Sequence, residues 1–190
     1  MAGENISIRY MSWKELHRAL IMLAKRLRRD GFIPDIIFAV LKGGLIPARI
    51  LSDLVQVDEI GFIGVKFYKA VGTRMAKPHL TLPPTHRIAG LNVLVVDDVV
   101  ESGRTLQLVI EELSRYEAKE IRSLTLFVKP QRTISPDYYY EETSQWVLFP
   151  WEYIETIRDG VDIRSSVGED KDLVEEILRR GLLSKNSFSV

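Results

Sequence analysis

Residues 91–106 read LNVLVVDDVVESGRTL, and the rest of the chain is organised around them. Residues 93–96 are an unbroken apolar run, the pattern of a strand buried on both faces. Asp97 and Asp98 stand where that strand is expected to end. Glu101-Ser102-Gly103-Arg104-Thr105 then forms a short loop ahead of a helix-like segment. A loop between a strand and a helix N-terminus offers unpaired backbone N–H groups, and the helix dipole favours negative charge there. Gly103 lets the backbone approach a ligand closely, while Ser102 and Thr105 add hydroxyl donors. Two carboxylates beside such a cradle point to a ligand with both phosphate and sugar hydroxyls.

The same unit occurs once before. Residues 36–41 are a continuous apolar run, Lys42-Gly43-Gly44 follows, and residues 45–54 read as a helix with Pro47 in its first turn. Both glycine loops therefore fall at the C-terminal edge of one parallel sheet, where ligands bind in open α/β folds. Residues 60–67 and 121–128 supply further strands, the second ended by Lys129-Pro130. Residues 105–116 form a helix with the stripe Leu106, Val109, Ile110 and Leu113. Residues 137–141 and 145–149 read as two short strands. Upstream, Ser12 and Glu15 make a capping box for a helix with Leu16, Leu20, Leu23, Ala24 and Leu27 on one face. Downstream, Glu169 or Asp170 caps a helix that runs through Arg180 to Gly181, with Leu173, Val174, Ile177 and Leu178 as its stripe. From 68 to 90 the periodicity dissolves into Gly72, Pro78, Pro83, Pro84 and the cations Lys69, Arg74, Lys77 and Arg87. We read this segment as a mobile lid over the anion site, with a short strand around 79–82.

Composition bounds the function. A chain of 190 residues is best read as one domain. Its 26 basic and 26 acidic residues cancel, which argues against bulk binding to nucleic acid or to an anionic membrane. Six Lys or Arg between Lys14 and Arg29 are either a solvated helix face or a local basic patch. The absence of cysteine excludes disulfides and thiolate chemistry. His17, His79 and His86 lack metal-ligand spacing. Without a signal-type or bilayer-length apolar run, a cytoplasmic enzyme is expected.

Residues 93–106 resemble the phosphoribosyl pyrophosphate (PRPP) motif of type I phosphoribosyltransferases: apolar run, two acids, two apolar residues, then a loop here written Glu101-Ser102-Gly103-Arg104-Thr105. Leu41-Lys42-Gly43-Gly44 is similar to the pyrophosphate loop of the 6-oxopurine branch. Lys129 looks like that branch's lysine at the purine O6. Trp146-Val147, followed by Pro150-Trp151-Glu152, is similar to the purine pocket of xanthine–guanine phosphoribosyltransferases. The tail after residue 153 matches nothing in that pattern, and its helix is read as specific to an archaeal-type branch.

The resemblance implies an α/β fold with a central, mainly parallel sheet, flanking helices and a small hood. Its parts are a core at about 12–130, a hood with the purine pocket at about 131–160, and a C-terminal helix at about 169–181. It implies transfer of phosphoribose from PRPP to guanine, hypoxanthine or xanthine, with a homodimer or homotetramer as the assembly. Asp97 and Asp98 take the ribose hydroxyls and hold Mg²⁺ directly or through water, unless one of them is only structural, since neighbours on a strand point to opposite sides. Glu101 to Thr105 hold the 5-phosphate, with Arg104 either a contact or a surface charge. Leu41, Lys42 and Gly43 hold pyrophosphate, with an unusual peptide geometry at Leu41–Lys42; alternatively Lys42 is a surface lysine. Lys129, Trp146, Val147 and Glu152 take the purine. Glu101 and Glu152 depart from the family pattern, which has aspartate at both places. At Glu101, the expected general base, the extra methylene moves the carboxylate by about one C–C bond length. The rival reading is a nucleotide-binding regulator of the same fold with little or no catalysis.

Overall fold

In the computed structural model, which describes residues 7–68 and 77–179, the chain runs β1 (Ile8–Tyr10), α1 (Trp13–Arg29), β2 (Ile36–Leu41), α2 (Leu45–Val55), β3 (Ile60–Tyr68), β4 (Lys77–Leu82), β5 (Asn92–Val100), α3 (Arg104–Ser114), β6 (Glu120–Val128), β7 (Tyr138–Glu142), β8 (Trp146–Leu148), α4 (Tyr153–Arg158), a 3-10 turn (Gly168–Asp170) and α5 (Lys171–Arg179). The described residues fall into two units, one within 17–143 and a smaller one from 7–16 and 144–179.

The larger unit is built on a six-stranded sheet of order β4-β3-β2-β5-β6-β7, parallel except for β4. Its apolar strands are covered as their composition demands. Ile36, Phe38 and Val40 alternate onto one face beside Val93 and Val95, and α3 covers that face with Leu106, Val109 and Leu113. Each such buried side chain contributes roughly 1.5–3 kcal/mol relative to exposure. Gly61 leaves room for the Phe38 ring, which a Cβ there would approach to 2.7 Å. Ser12 caps α1 as expected, its Oγ accepting from Glu15 N at 3.2 Å. The Glu15 carboxylate pairs with Arg9. On the basic helix, Arg26 and Arg28 donate to the Tyr139 and Leu54 carbonyls at 3.0 and 2.9 Å, so two of its cations brace the fold.

The order of the strands opens the crevice. β2 and β5 are neighbours only from Ile36↔Val93 to Ala39↔Val96. Beyond that, β2 stays with β3 to Leu41↔Gly64, and β5 stays with β6 to Val100↔Val128. The chain winds away in opposite directions from this pair, which makes the gap a topological switch point. β5 therefore does not end at Val96: Asp97 and Asp98 lie inside the strand, because β6 keeps supplying its ladder partners.

The expected lid is also corrected. Lys77–Leu82 pairs antiparallel with β3, a longer strand than residues 79–82. Thr85 is bonded twice to Phe62, through N–H to its carbonyl at 3.3 Å and through Oγ1 from its N–H at 2.9 Å. Ile88 is fully buried in the core. Residues 77–90 thus belong to the body of the fold, while Lys69, Gly72 and Arg74 lie outside the described residues. His86 faces Glu59, just before β3, with its Nε2 3.8 Å from the carboxylate, at the sheet edge opposite the two glycine loops.

In the smaller unit, β1 pairs parallel with β8 through Ile8↔Trp146, Arg9↔Val147 and Tyr10↔Leu148. Neither β1 nor α4 was expected from periodicity, since three and six residues are too few to show it. Leu148, Tyr153, Ile163, Val167 and Val174 form its core, with Ile177 and Leu178 packed against it. Leu173, assigned to the same stripe, is 44% exposed instead. Arg180 and Gly181, the expected helix end, lie outside the described residues. No described helix is long and apolar enough to cross a membrane.

Candidate active site

The crevice is walled by the two glycine loops. After β2 the chain turns tightly: Gly44 N–H donates to Val40 O at 2.8 Å and Leu45 N–H to Lys42 O at 3.1 Å. The Leu41–Lys42 peptide bond is cis. A Cβ on Gly44 would lie 2.2 Å from Val96 O, and one on Gly43 would lie 2.2 Å from Asp98 Oδ2. Both positions are glycine because neighbouring main chain and carboxylate occupy the space a side chain needs. Lys42 is exposed at the tip.

The two acids do different things. Asp97 lines a cavity of about 390 Å³ together with Val99, Glu101, Ser102, Gly103 and Thr105. Asp98 points to the other side, against Gly43, and is 8% exposed. Asp98 Oδ1 accepts from Val99 N–H at 2.7 Å, and Asp97 Oδ1 from Asp98 N–H at 3.0 Å. Burial holds Asp97 well above the usual carboxylate range, and the charge of Asp98 adds to this. Burial likewise raises Asp98 to about 6, against opposing backbone hydrogen bonds. Two buried carboxylates this close favour a cation or hydroxyl donors between them and a ligand. Among the described residues no cluster of three or more His, Cys, Asp or Glu stands together. Asp97 does place a hard carboxylate oxygen in the cavity wall, a donor of the kind Mg²⁺ takes singly or in pairs with water filling the rest of its shell.

The loop after β5 closes on α3 through Gly103, which has φ 87° and serves as N-cap in place of Ser102. The Ser102 hydroxyl accepts only a long contact, 3.4 Å from Arg104 N. A second loop clamps this one from behind. Lys129 N–H donates to Val100 O at 2.9 Å, and Thr133 N–H and Oγ1 donate to Ser102 O at 3.1 and 2.9 Å. Ile134 closes on Gly103, where a Cβ would come within 2.9 Å. Arg132 holds the clamp in shape, donating to Lys129 O at 2.8 Å and Glu142 at 2.6 Å. Lys129 is buried, which lowers its pKa, and the Glu101 carboxylate acts in the opposite sense.

Two parts of this site escaped the sequence. Phe67, at the end of β3, lines the cavity and is 51% exposed. Its one sequence signal was an aromatic residue just before the unpatterned segment. The clamp at 132–134 had none beyond following Lys129. The structure brings Leu41 to Gly43, Asp97, Asp98, Glu101 to Thr105 and Lys129 into the larger unit. Trp146, Val147 and Glu152 belong to the smaller one: Trp146 is partly exposed on β8, Val147 is buried, and Glu152 precedes α4. Trp151 is half-buried and stacks on Phe149 with centroids 4.7 Å apart.

A strand–acid pair–loop–helix site at this switch point is the arrangement expected of a phosphoribosyltransferase, and the sequence profile of the phosphoribosyl transferase domain matches residues 12–155. The chain belongs to this family. It is 33% identical to the xanthine-guanine phosphoribosyltransferase of Cereibacter sphaeroides over 162 residues, 78% of this chain and 92% of that protein. Its likeness to the enzyme of that name from a Ruegeria species is 32% over 169 residues, 80% and 92% of the two chains. Among solved structures, the purine phosphoribosyltransferase of Pyrococcus horikoshii superposes with a TM-score of 0.69 at 39% identity, covering 77% of this chain and 94% of that one.

Proposed function

We infer that the protein is a purine salvage enzyme that transfers the 5-phosphoribosyl group of PRPP to guanine, hypoxanthine or xanthine. The bond from ribose C1 to pyrophosphate oxygen breaks, a bond from C1 to a purine nitrogen forms, and pyrophosphate and a nucleoside monophosphate leave. The observation that carries this reading is the convergence of the Gly43 loop, the Asp97–Asp98 pair and the Glu101–Thr105 loop on one crevice.

Each residue has a role matched to its chemistry. Backbone N–H groups at 101–105, with the Ser102 and Thr105 hydroxyls, hold the 5-phosphate at the start of α3. Asp97, in the cavity wall, accepts from the ribose hydroxyls. Asp98 shapes the pyrophosphate loop from beneath Gly43 and, with Asp97, would hold Mg²⁺. When bound, Mg²⁺ neutralises charge on the departing pyrophosphate. Leu41 to Gly43 orient that group, and Glu101 takes the proton the purine gives up. The reaction demands positioning more than covalent chemistry, and a tightly packed main-chain frame supplies it.

Lys129 favours a 6-oxopurine, because an ammonium only donates and so pairs with O6 but not with a 6-amino group. Trp146 and Val147 stack on and flank the base, and Glu152 accepts from the exocyclic amine when the base is guanine. The test is incubation with labelled PRPP and Mg²⁺ against guanine, hypoxanthine, xanthine and adenine, with a chelator control. Nucleotide formed from adenine alone, or turnover unaffected by chelation, would sink the reading. Nucleic-acid binding with a steep salt dependence and no turnover would favour the regulator instead.

A further inference from the structure

One carboxylate oxygen in the smaller unit is shared by two tyrosines. Tyr10 and Tyr153 both donate to Asp170 Oδ2, at 2.5 and 2.7 Å, and their hydroxyls lie 3.3 Å apart. Tyr153 is 2% exposed, and Val167 and Val174, on either side of Asp170 in sequence, are fully buried. Burial and the adjacent Asp170 raise both phenols above their ordinary range, so each remains a proton donor at working pH.

Tyr10 lies beside the stretch to which we assign the purine, and Tyr153 follows its last residue. Tyr10 pairs with Leu148 in the β1–β8 ladder, where Arg9 and Ile8 pair with Val147 and Trp146. Tyr153 follows Glu152 directly and opens α4. A sheet of two three-residue strands is marginal without further bracing. Asp170 supplies a brace on both flanks at once. The domain match ends at residue 155 and starts at 12, so Asp170 and Tyr10 both lie outside it.

We propose that Asp170 is a positioning residue for purine recognition, acting through Tyr10 and Tyr153 on the segment that bears Trp146, Val147 and Glu152. The inference rests on the purine assignment above. It is tested by steady-state kinetics of Asp170→Ala, Asp170→Asn and Tyr10→Phe, varying purine at saturating PRPP and PRPP at saturating purine. Asp170→Ala raises KM for purine about tenfold and leaves KM for PRPP within about twofold. Asp170→Asn keeps an acceptor oxygen and stays within about threefold of the parent. Tyr10→Phe, which removes one donor and keeps the ring, carries the test if Asp170→Ala does not fold; it raises KM for purine about threefold. Purine KM unchanged in the folded variants, or both KM values rising together, overturns the positioning role while the purine assignment stands. A parent enzyme that turns over no purine overturns both.

Discussion

The α-carbon of Gly43 is seated against the carboxylate of Asp98 so closely that a β-carbon there would lie 2.2 Å from Oδ2 and 2.5 Å from Oδ1. This contact ties the loop after β2 to the strand beside it, across the gap where the two strands part. It also gives the second acid a task distinct from the first. Asp97 faces the cavity, and Asp98 sets the height of the loop after β2.

Gly43→Ala is therefore expected to push that loop away from Asp98. A displacement of about 1 Å at a positioning element costs on the order of 100-fold in rate. We expect kcat/KM for PRPP to fall by about that factor, with the far-UV circular dichroism unchanged. A variant with parental PRPP kinetics would show that the contact does not set the loop.

Asp98 carries a pH signature. Its folded-state pKa of about 6 lies above the ordinary 3.8, so the folded protein binds more protons than the unfolded chain between those values. Stability accordingly declines as pH rises from about 4 to about 6 and stays lowered above. Asp98→Asn removes the buried charge and is expected to raise Tm at pH 7.5 by on the order of 5 °C. The gain should vanish near pH 4, and PRPP turnover should fall. Differential scanning calorimetry across pH decides it; a Tm gain that persists at pH 4 counts against burial of the charge as the cause.

Lys129 must be protonated to donate to a purine oxygen, and burial lowers its pKa. The alkaline limb of kcat/KM for purine should thus begin below the ordinary lysine range. Glu101 opposes this shift, so Glu101→Gln should move the limb to still lower pH, besides cutting kcat by roughly 100-fold or more as a lost general base. A limb that stays in place when the Glu101 charge is removed would separate the two residues.

Phe67 offers a contrast between function and stability. Its ring is half-exposed on the cavity wall. Phe67→Ala should change unfolding free energy by no more than about 0.5 kcal/mol, as for other surface sites. It should raise the fraction of PRPP lost to water relative to nucleotide formed, because the wall that excludes water is opened. Product analysis by ion-exchange chromatography checks the partition.

Several features were legible in residues alone because they are local. Apolar runs without alternation marked β2 and the first half of β5 as buried strands, and the glycines at 43, 44 and 103 marked the loops that follow. Those loops and the acid pair carried the resemblance that implied the phosphoribosyltransferase fold. What remained illegible depends on residues far apart in the chain. Periodicity ended β5 at Val96, whereas its pairing with β6 carries it to Val100 and places both acids within the strand. β1 forms only because β8, more than a hundred residues away, offers it a ladder. Phe67 reaches the cavity because β3 runs on past its last pairing with β2, and Ile134 meets Gly103 because the loop after β6 folds back. The sequence by itself determined the central strands β2, β3, β5 and β6, the helices α1 to α3 and the two glycine loops, since each of these is settled by side-chain period and backbone freedom over a few residues. Only the tertiary structure decided which carboxylate faces the cavity and which supports the neighbouring loop, because that follows from where two parallel strands separate.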